Sequence, residues 1–221
     1  DTKNKKAIKN FTKKDAGLPE NGFIFCCFNG LYKATPSIFA IWMKILSQVE
    51  DSVLWLPDES ILAVKNLKKE AKRNGINDNR IVFAPRLDSR EEHLNRIKLA
   101  DLFLDTMPYN AHATTSDALQ IGLPVVTCIG KSFASRVAAS LINSMTLSEL
   151  ITDTIEEYEL LAIELAKNTE KFRLIKDKLN ENLPISPLYN TSLYTESLES
   201  AYTQIHENNK QALKSNHIYI N

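Results

Sequence analysis

"LADLFLDTMPYNAHATTSDALQIGLPVVT", residues 99–127, is the stretch on which the reading of this chain turns. Its first part, DLFLD (101–105), is an almost continuously apolar run. Such runs belong to strands buried on both faces. PVVTC (124–128) is a second run of the same kind, and a helical segment lies between them. Strand, turn, helix and strand in so short a span make one step of a parallel α/β sheet. The turn lacks the glycines of a dinucleotide-binding loop and carries His112, Thr114, Thr115, Ser116 and Asp117 instead. Amides at a helix N-terminus favour an anion, and hydroxyls beside them add donors, so phosphate is the ligand this turn suits.

The same alternation extends outward. FIFCCF (23–28), SVLWL (52–56) and RIVFA (80–84) are further strand candidates. Thr35 followed by Pro36 marks a helix start, and Phe39, Trp42, Met43 and Leu46 then recur at helical spacing. Ser89 with Glu92 has the spacing of a capping box. The pattern predicts a doubly wound α/β domain of five or six parallel strands. Beyond about Leu147 the strands are expected to stop, leaving a C-terminal helical segment. Residues 1–15 read as a leader or linker from a preceding part, 16–208 as the lobe with its helices, and 209–221 as a polar tail.

Composition narrows the function. The 221 residues carry no formal net charge and are 43% hydrophobic, which argues against a general nucleic-acid binder. No apolar run reaches the roughly 18 residues that span a bilayer. Cys26, Cys27 and Cys128 are odd in number and lack metal-site spacing, so a reducing, cytoplasmic setting is expected. Three motifs fail on inspection. GKS (130–132) has Val125 where a phosphate loop needs glycine. Asp101 and Asp105 are too far apart for an Asp-x-Asp pair, so no metal is expected. His112 and Ser116 lack the glycines that flank a serine nucleophile.

Ligands of open α/β sheets bind outside the carboxyl ends of the strands, where FNGLYK, PRLDSREEH and TMPYNAHATTSD fall. Lys33 either stays exposed in its loop or reaches the same phosphates and stabilises a departing anion. Asp117 either complements a helix dipole or accepts from ribose hydroxyls. His93 and Arg96, three apart on one helix face, are either structural or hold a base.

In order along the chain, FCCFNGLYKATPSIFAIWMKIL, SVLWL, NRIVFAPR, EEHLNRIKLADLFLDT, YNAHATTSDALQIGLPVVT, FASRVAASL and SPLYNTSLYTESLESAY resemble the C-terminal half of protein O-linked N-acetylglucosamine transferases. Bacterial members with tetratricopeptide repeats are the nearest in pattern. The resemblance implies the Rossmann-like C-terminal half of a GT-B glycosyltransferase, holding UDP-N-acetylglucosamine without a metal or other cofactor. It implies that His112 and Thr114 contact diphosphate and sugar, with Thr115 at the same turn, and that Asp117 contacts the ribose. Lys33 would assist UDP departure, His93 and Arg96 would hold the uracil, and Arg90 would lie near the ribose. Inverting transfer to Ser or Thr of a protein acceptor would require an N-terminal catalytic lobe and repeats that this sequence lacks. Gly30 replaces an amide side chain, Ala113 a threonine and Gln120 a tryptophan, and Ser89 competes with Arg90 for one role. The alternatives are a non-catalytic UDP-binding module, or another UDP-sugar enzyme such as an asparagine glucosyltransferase or an epimerase.

Overall fold

In the computed structural model, residues 10–220 are described. The apolar runs become β1 (Ile24–Cys26), β2 (Val53–Pro57), β3 (Ile81–Ala84), β4 (Leu102–Leu104) and β5 (Val125–Cys128). With β6 (Ile151–Thr152) they form one six-stranded sheet in the order β3-β2-β1-β4-β5-β6, and every pairing is parallel. Strands bonded on both edges and covered on both faces have no use for polar side chains. Phe25, Leu54, Trp55 and Phe103 accordingly have no exposed surface. Cys26, Cys27 and Cys128 are buried and unbridged, the behaviour of small hydrophobes.

Local chemistry places the helices. Thr35 Oγ1 accepts from the Ile38 amide at 3.3 Å and opens α1 (Pro36–Gln48), whose first residue is the proline. Ser60 caps α2 (Ile61–Arg73), and Ser89 caps α3 (Arg90–Ile97) by accepting from the Glu92 amide at 3.2 Å. α4 (Ala113–Gln120) and α5 (Val137–Ser144) follow and pack on each other.

The region after Leu147 departs from the all-helical expectation. A single 3-10 turn (Ser148–Leu150) leads into β6, and only then do α6 (Ile155–Lys167) and α7 (Thr169–Asn182) begin. The break has a local cause. Thr154 and Glu157 form a capping box, each side chain satisfying the other's backbone amide. Asn168 then ends α6 and caps α7 by accepting from the Lys171 amide.

The described chain divides into two units, the first ending at Leu183 and the second running from Pro184, whereas the sequence reading kept 16–208 together. The second unit holds α8 (Thr191–Lys210), capped by Asn190, and no residue of α8 is buried. Of the expected leader, residues 1–9 lie outside the described residues, and Thr12 and Asp15 close a small turn on each other.

Within the first unit α1 packs against α6. Trp42 Nε1 donates to the Tyr158 hydroxyl at 3.2 Å, and that hydroxyl donates to the Asp105 carbonyl at 3.0 Å. Two helices and the end of β4 thus share one fully buried hydroxyl. Tyr158→Phe leaves an indole donor and a carbonyl unpartnered, with an expected cost of about 1–3 kcal/mol. Urea unfolding should show a lower midpoint with an unchanged slope.

Candidate functional site

The strand order reverses between β1 and β4, and in such sheets the crevice at the reversal receives ligands. Two loops leave the sheet there, one after β1 and one from Asp105 to His112. Lys33 closes a short turn after β1, and its ammonium donates to the Asn110 carbonyl at 3.0 Å. The same ammonium lies 3.8 Å from the centre of the Tyr109 ring. Burial lowers the Lys33 pKa, opposed by the charge of nearby Asp105.

His112 occupies the N-cap position of α4 without capping it through its side chain. Its Nε2 is 3.3 Å from the Ala134 carbonyl, which only accepts, so that nitrogen carries a proton. Its ring stands edge-on between Tyr109 and Phe133, at 5.3 and 6.1 Å. With no side-chain cap, the first turn of α4 presents its amides at the rim beside exposed Ala113. The Thr114 hydroxyl donates to Asn29 Oδ1 at 2.6 Å. Thr115 corrects the expectation of a further rim hydroxyl. It is fully buried, and its hydroxyl turns back to the Ala111 carbonyl at 3.2 Å.

Beside this polar rim lies a cleft of about 580 Å³, lined by Phe28, Pro57, Ala84, Pro85, His93 and Arg96 among others. Arg96 is buried and donates to the Pro85 carbonyl at 2.6 Å. Its Nη2 is 3.2 Å from His93 Nδ1. A guanidinium only donates, so Nδ1 accepts and His93 is neutral. Burial, then the Arg96 charge, push the His93 pKa down to the same end. Phe28 packs edge-on against His93 at 5.2 Å and against Trp55 at 5.1 Å. Asp58, Glu59, Arg86, Asp88 and Arg90 also line the cleft, so aromatic and proline faces stand beside charged groups and a neutral imidazole, a mixture that suits a planar ring with polar edges.

Arg90 and Asp117 are bonded to each other, and Arg90 also donates to Gln120 Oε1 at 3.3 Å. Ser89 is taken up by capping α3, so Arg90 is the residue of that pair that faces the cleft. Gly30 has an ordinary φ of −53°, so no left-handed conformation demands a glycine there. A Cβ at Gly30 would instead come within 2.5 Å of the exposed Tyr32 ring. The GKS turn closes on itself, with the Gly130 amide donating to the Ser135 carbonyl and Ser132 and Ser135 bonded through their hydroxyls. Asp101 accepts from the Ile24 amide at one end of β4, while Asp105 is buried at the other. Among the described residues no group of three His, Cys, Asp or Glu is placed to hold a metal.

Larger hollows of about 830 and 620 Å³ occur elsewhere in this unit. One is lined by Glu20, Glu50, Asp51 and Arg80, the other by Phe133, Val137 and Leu141. The charged residues of the first are three acids and Arg80; the second also carries Arg136 and Ser140, and adjoins the His112 rim through Phe133.

A protein-family model described as glycosyl transferase family 41 matches residues 2–198. The chain belongs to glycosyl transferase family 41. Relatives agree. A probable UDP-N-acetylglucosamine–peptide N-acetylglucosaminyltransferase of Arabidopsis thaliana is 36% identical over 191 residues, covering 86% of this chain and 19% of the relative. A Caenorhabditis elegans UDP-N-acetylglucosamine–peptide N-acetylglucosaminyltransferase is 33% identical over 204 residues, or 92% of this chain and 18% of its own. Among solved structures, an O-GlcNAc transferase variant from Thermobaculum terrenum superposes with a TM-score of 0.78 at 28% identity, covering 83% of this chain and 36% of that one. This family-41 chain therefore spans about a fifth of the length of the curated relatives it matches. Its sheet and flanking helices are the Rossmann-like lobe of the GT-B fold.

Asp105 is the one carboxyl in the crevice with no exposure. Burial pushes its pKa up to about 7, against the downward pull of the Thr127 hydroxyl and the Ala111 and Thr106 amides. A folded pKa above the unfolded one gives stability that is full below about pH 4 and is lost as pH rises towards 7. Unfolding free energy, taken relative to Asp105→Asn, should fall across that window by up to roughly 4 kcal/mol. A ¹³C carboxyl titration should show one aspartate with a midpoint near 7.

Proposed function

We propose that this chain is the donor-holding lobe of a UDP-N-acetylglucosamine–peptide N-acetylglucosaminyltransferase, acting without a metal and inverting the anomeric centre. The observation that carries the reading is one crevice holding a cleft of mixed aromatic and polar lining for a base beside a cationic, amide-rich rim. Uracil lies along the side of the cleft formed by the touching Phe28 and His93 rings, within reach of the backbone of the loop after β3. The diphosphate meets the amides at the start of α4 and the Lys33 ammonium. Thr114, whose proton goes to Asn29, offers its lone pairs to a sugar hydroxyl. Asp117 and Arg90 give up part of their mutual pairing to the ribose.

In a single displacement an acceptor hydroxyl attacks the anomeric carbon and UDP leaves with the bonding pair. A partly desolvated ammonium at Lys33 stabilises the charge that grows on the departing phosphate. Lys33 must then leave the Asn110 carbonyl or share itself with the phosphate. The base and the acceptor surface belong to the remainder of a longer protein, because an acceptor held against the donor needs a second wall.

Calorimetry in a chelator should show UDP binding in preference to ADP and GDP. The same protein with labelled UDP-N-acetylglucosamine and peptide should transfer no sugar above background. Equal affinity for the three nucleotides, or a strict need for magnesium, would overturn the uracil assignment, and turnover would overturn the division of labour.

Site substitutions give a second check. Ala113→Thr adds a hydroxyl at a helix start that already attracts anions, and should tighten UDP by about 0.5–1.5 kcal/mol. Lys33→Ala should weaken UDP. Lys131→Ala, in the closed GKS turn, should change nothing, and the reverse pattern would move the phosphate elsewhere on the rim.

A further inference from the structure

Asp105 takes no part in the scheme above, yet the crevice is built around it. Its Oδ1 accepts from the Thr106 amide at 2.7 Å and the Ala111 amide at 2.6 Å, with Asn29 Nδ2 at 3.5 Å. Its Oδ2 accepts from the Thr127 hydroxyl at 2.6 Å. The donors come from the loop after β1, the loop after β4, and β5 itself. The network continues through Asn29, whose Nδ2 donates to Thr106 Oγ1 at 2.8 Å and whose Oδ1 accepts from Thr114. Thr106 Oγ1 donates onward to the Tyr109 carbonyl at 2.7 Å, and Asn110 Nδ2 donates to the Thr106 carbonyl at 2.9 Å.

Residues 106–111 are thereby folded back onto one carboxylate. That loop carries the Asn110 carbonyl that holds Lys33 and the Tyr109 ring beneath its ammonium. It also delivers the chain to His112 and the first amides of α4. Once ionised, above its titration near pH 7, the carboxylate accepts at every lone pair, so each neighbour must then donate to it. Asn29 is consequently oriented amide-inward, with its oxygen turned to Thr114. We propose that Asp105 and Asn29 are positioning residues of the diphosphate seat: Asp105 sets the loop that places Lys33, His112 and the α4 amides, and Asn29 orients Thr114. This rests on the reading of the crevice as a UDP-sugar site, and it assigns work to two residues that never touch the donor.

The test compares UDP with uridine, which lacks the phosphates, on Asp105→Asn, Thr127→Val and Asn29→Ala. NMR titration gives the uridine affinity, and amide hydrogen exchange of the nucleotide-free proteins reports the loop. Asp105→Asn turns a donor on one of its partners, and Thr127→Val removes one partner from the side away from the ligand. The expected result is a UDP affinity at least tenfold weaker for Asp105→Asn, severalfold weaker for the other two, and a uridine affinity unchanged within twofold. Exchange should quicken at Thr106 and Ala111 and not across the sheet. Unchanged UDP affinity with unchanged exchange overturns the proposal. So does an equal loss of UDP and uridine in Thr127→Val, which would make the network merely structural. Should Asp105→Asn fail to fold, Thr127→Val and Asn29→Ala carry the comparison. If the unaltered chain does not bind UDP, the donor reading fails by itself, and loop-confined exchange in the variants still decides the positioning claim.

Discussion

A carboxylate taken out of water costs several kcal/mol unless donors surround it. Asp105 is fully buried and collects two backbone amides, a threonine hydroxyl and an asparagine amide. Satisfying it dictates the path of residues 106–111, since both amides must point at the same oxygen. Its backbone carbonyl receives the Tyr158 hydroxyl, which in turn receives the Trp42 indole. One residue therefore ties the rim of the crevice to the helix packing under the sheet. Two hydrogen bonds connect the core of α1 and α6 to the site.

The crevice has two chemically distinct halves because different strands supply them. The loops after β1 and β4 bring charge, hydroxyls and the open start of α4, which suits an anion. The ends of β1, β2 and β3 bring Phe28, Pro57 and Pro85 together with Asp58, Glu59, Arg86 and Asp88, around a buried arginine that holds a neutral histidine. A nucleoside diphosphate needs both halves side by side, and strand reversal between β1 and β4 sets them there. Gly30 has an unexceptional φ, and Ala113 leaves the start of α4 exposed.

Much of this was legible along the chain. Continuous apolar runs gave five of the six strands, because burial on both faces removes polar residues from the sequence itself. Thr35-Pro36 and Ser89 marked helix starts, because a cap is satisfied by residues two or three positions away. β6 was missed because two residues carry no periodicity, and the break before α6 became visible only with the Thr154–Glu157 capping box of the structure. Thr115 was read as a rim hydroxyl because alternation along a turn does not say which side chain faces inward. Ser89 and Arg90 could not be separated until capping was seen to occupy one of them.

The sequence by itself thus determined the α/β class and the strand ends, turns and helices that carry Lys33, His93, Arg96, His112 and Thr114. Those follow from burial patterns and capping, which act over a few residues. Only the tertiary structure decided which groups are spent on each other. Arg90 with Asp117, Arg96 with His93, Thr114 with Asn29 and Lys33 with Asn110 are pairs between or across elements. Asp105 shows the difference most plainly. In sequence it is one more acid at the end of a strand, and its role exists only because Asn29 and Thr127, 76 and 22 residues away, converge on it.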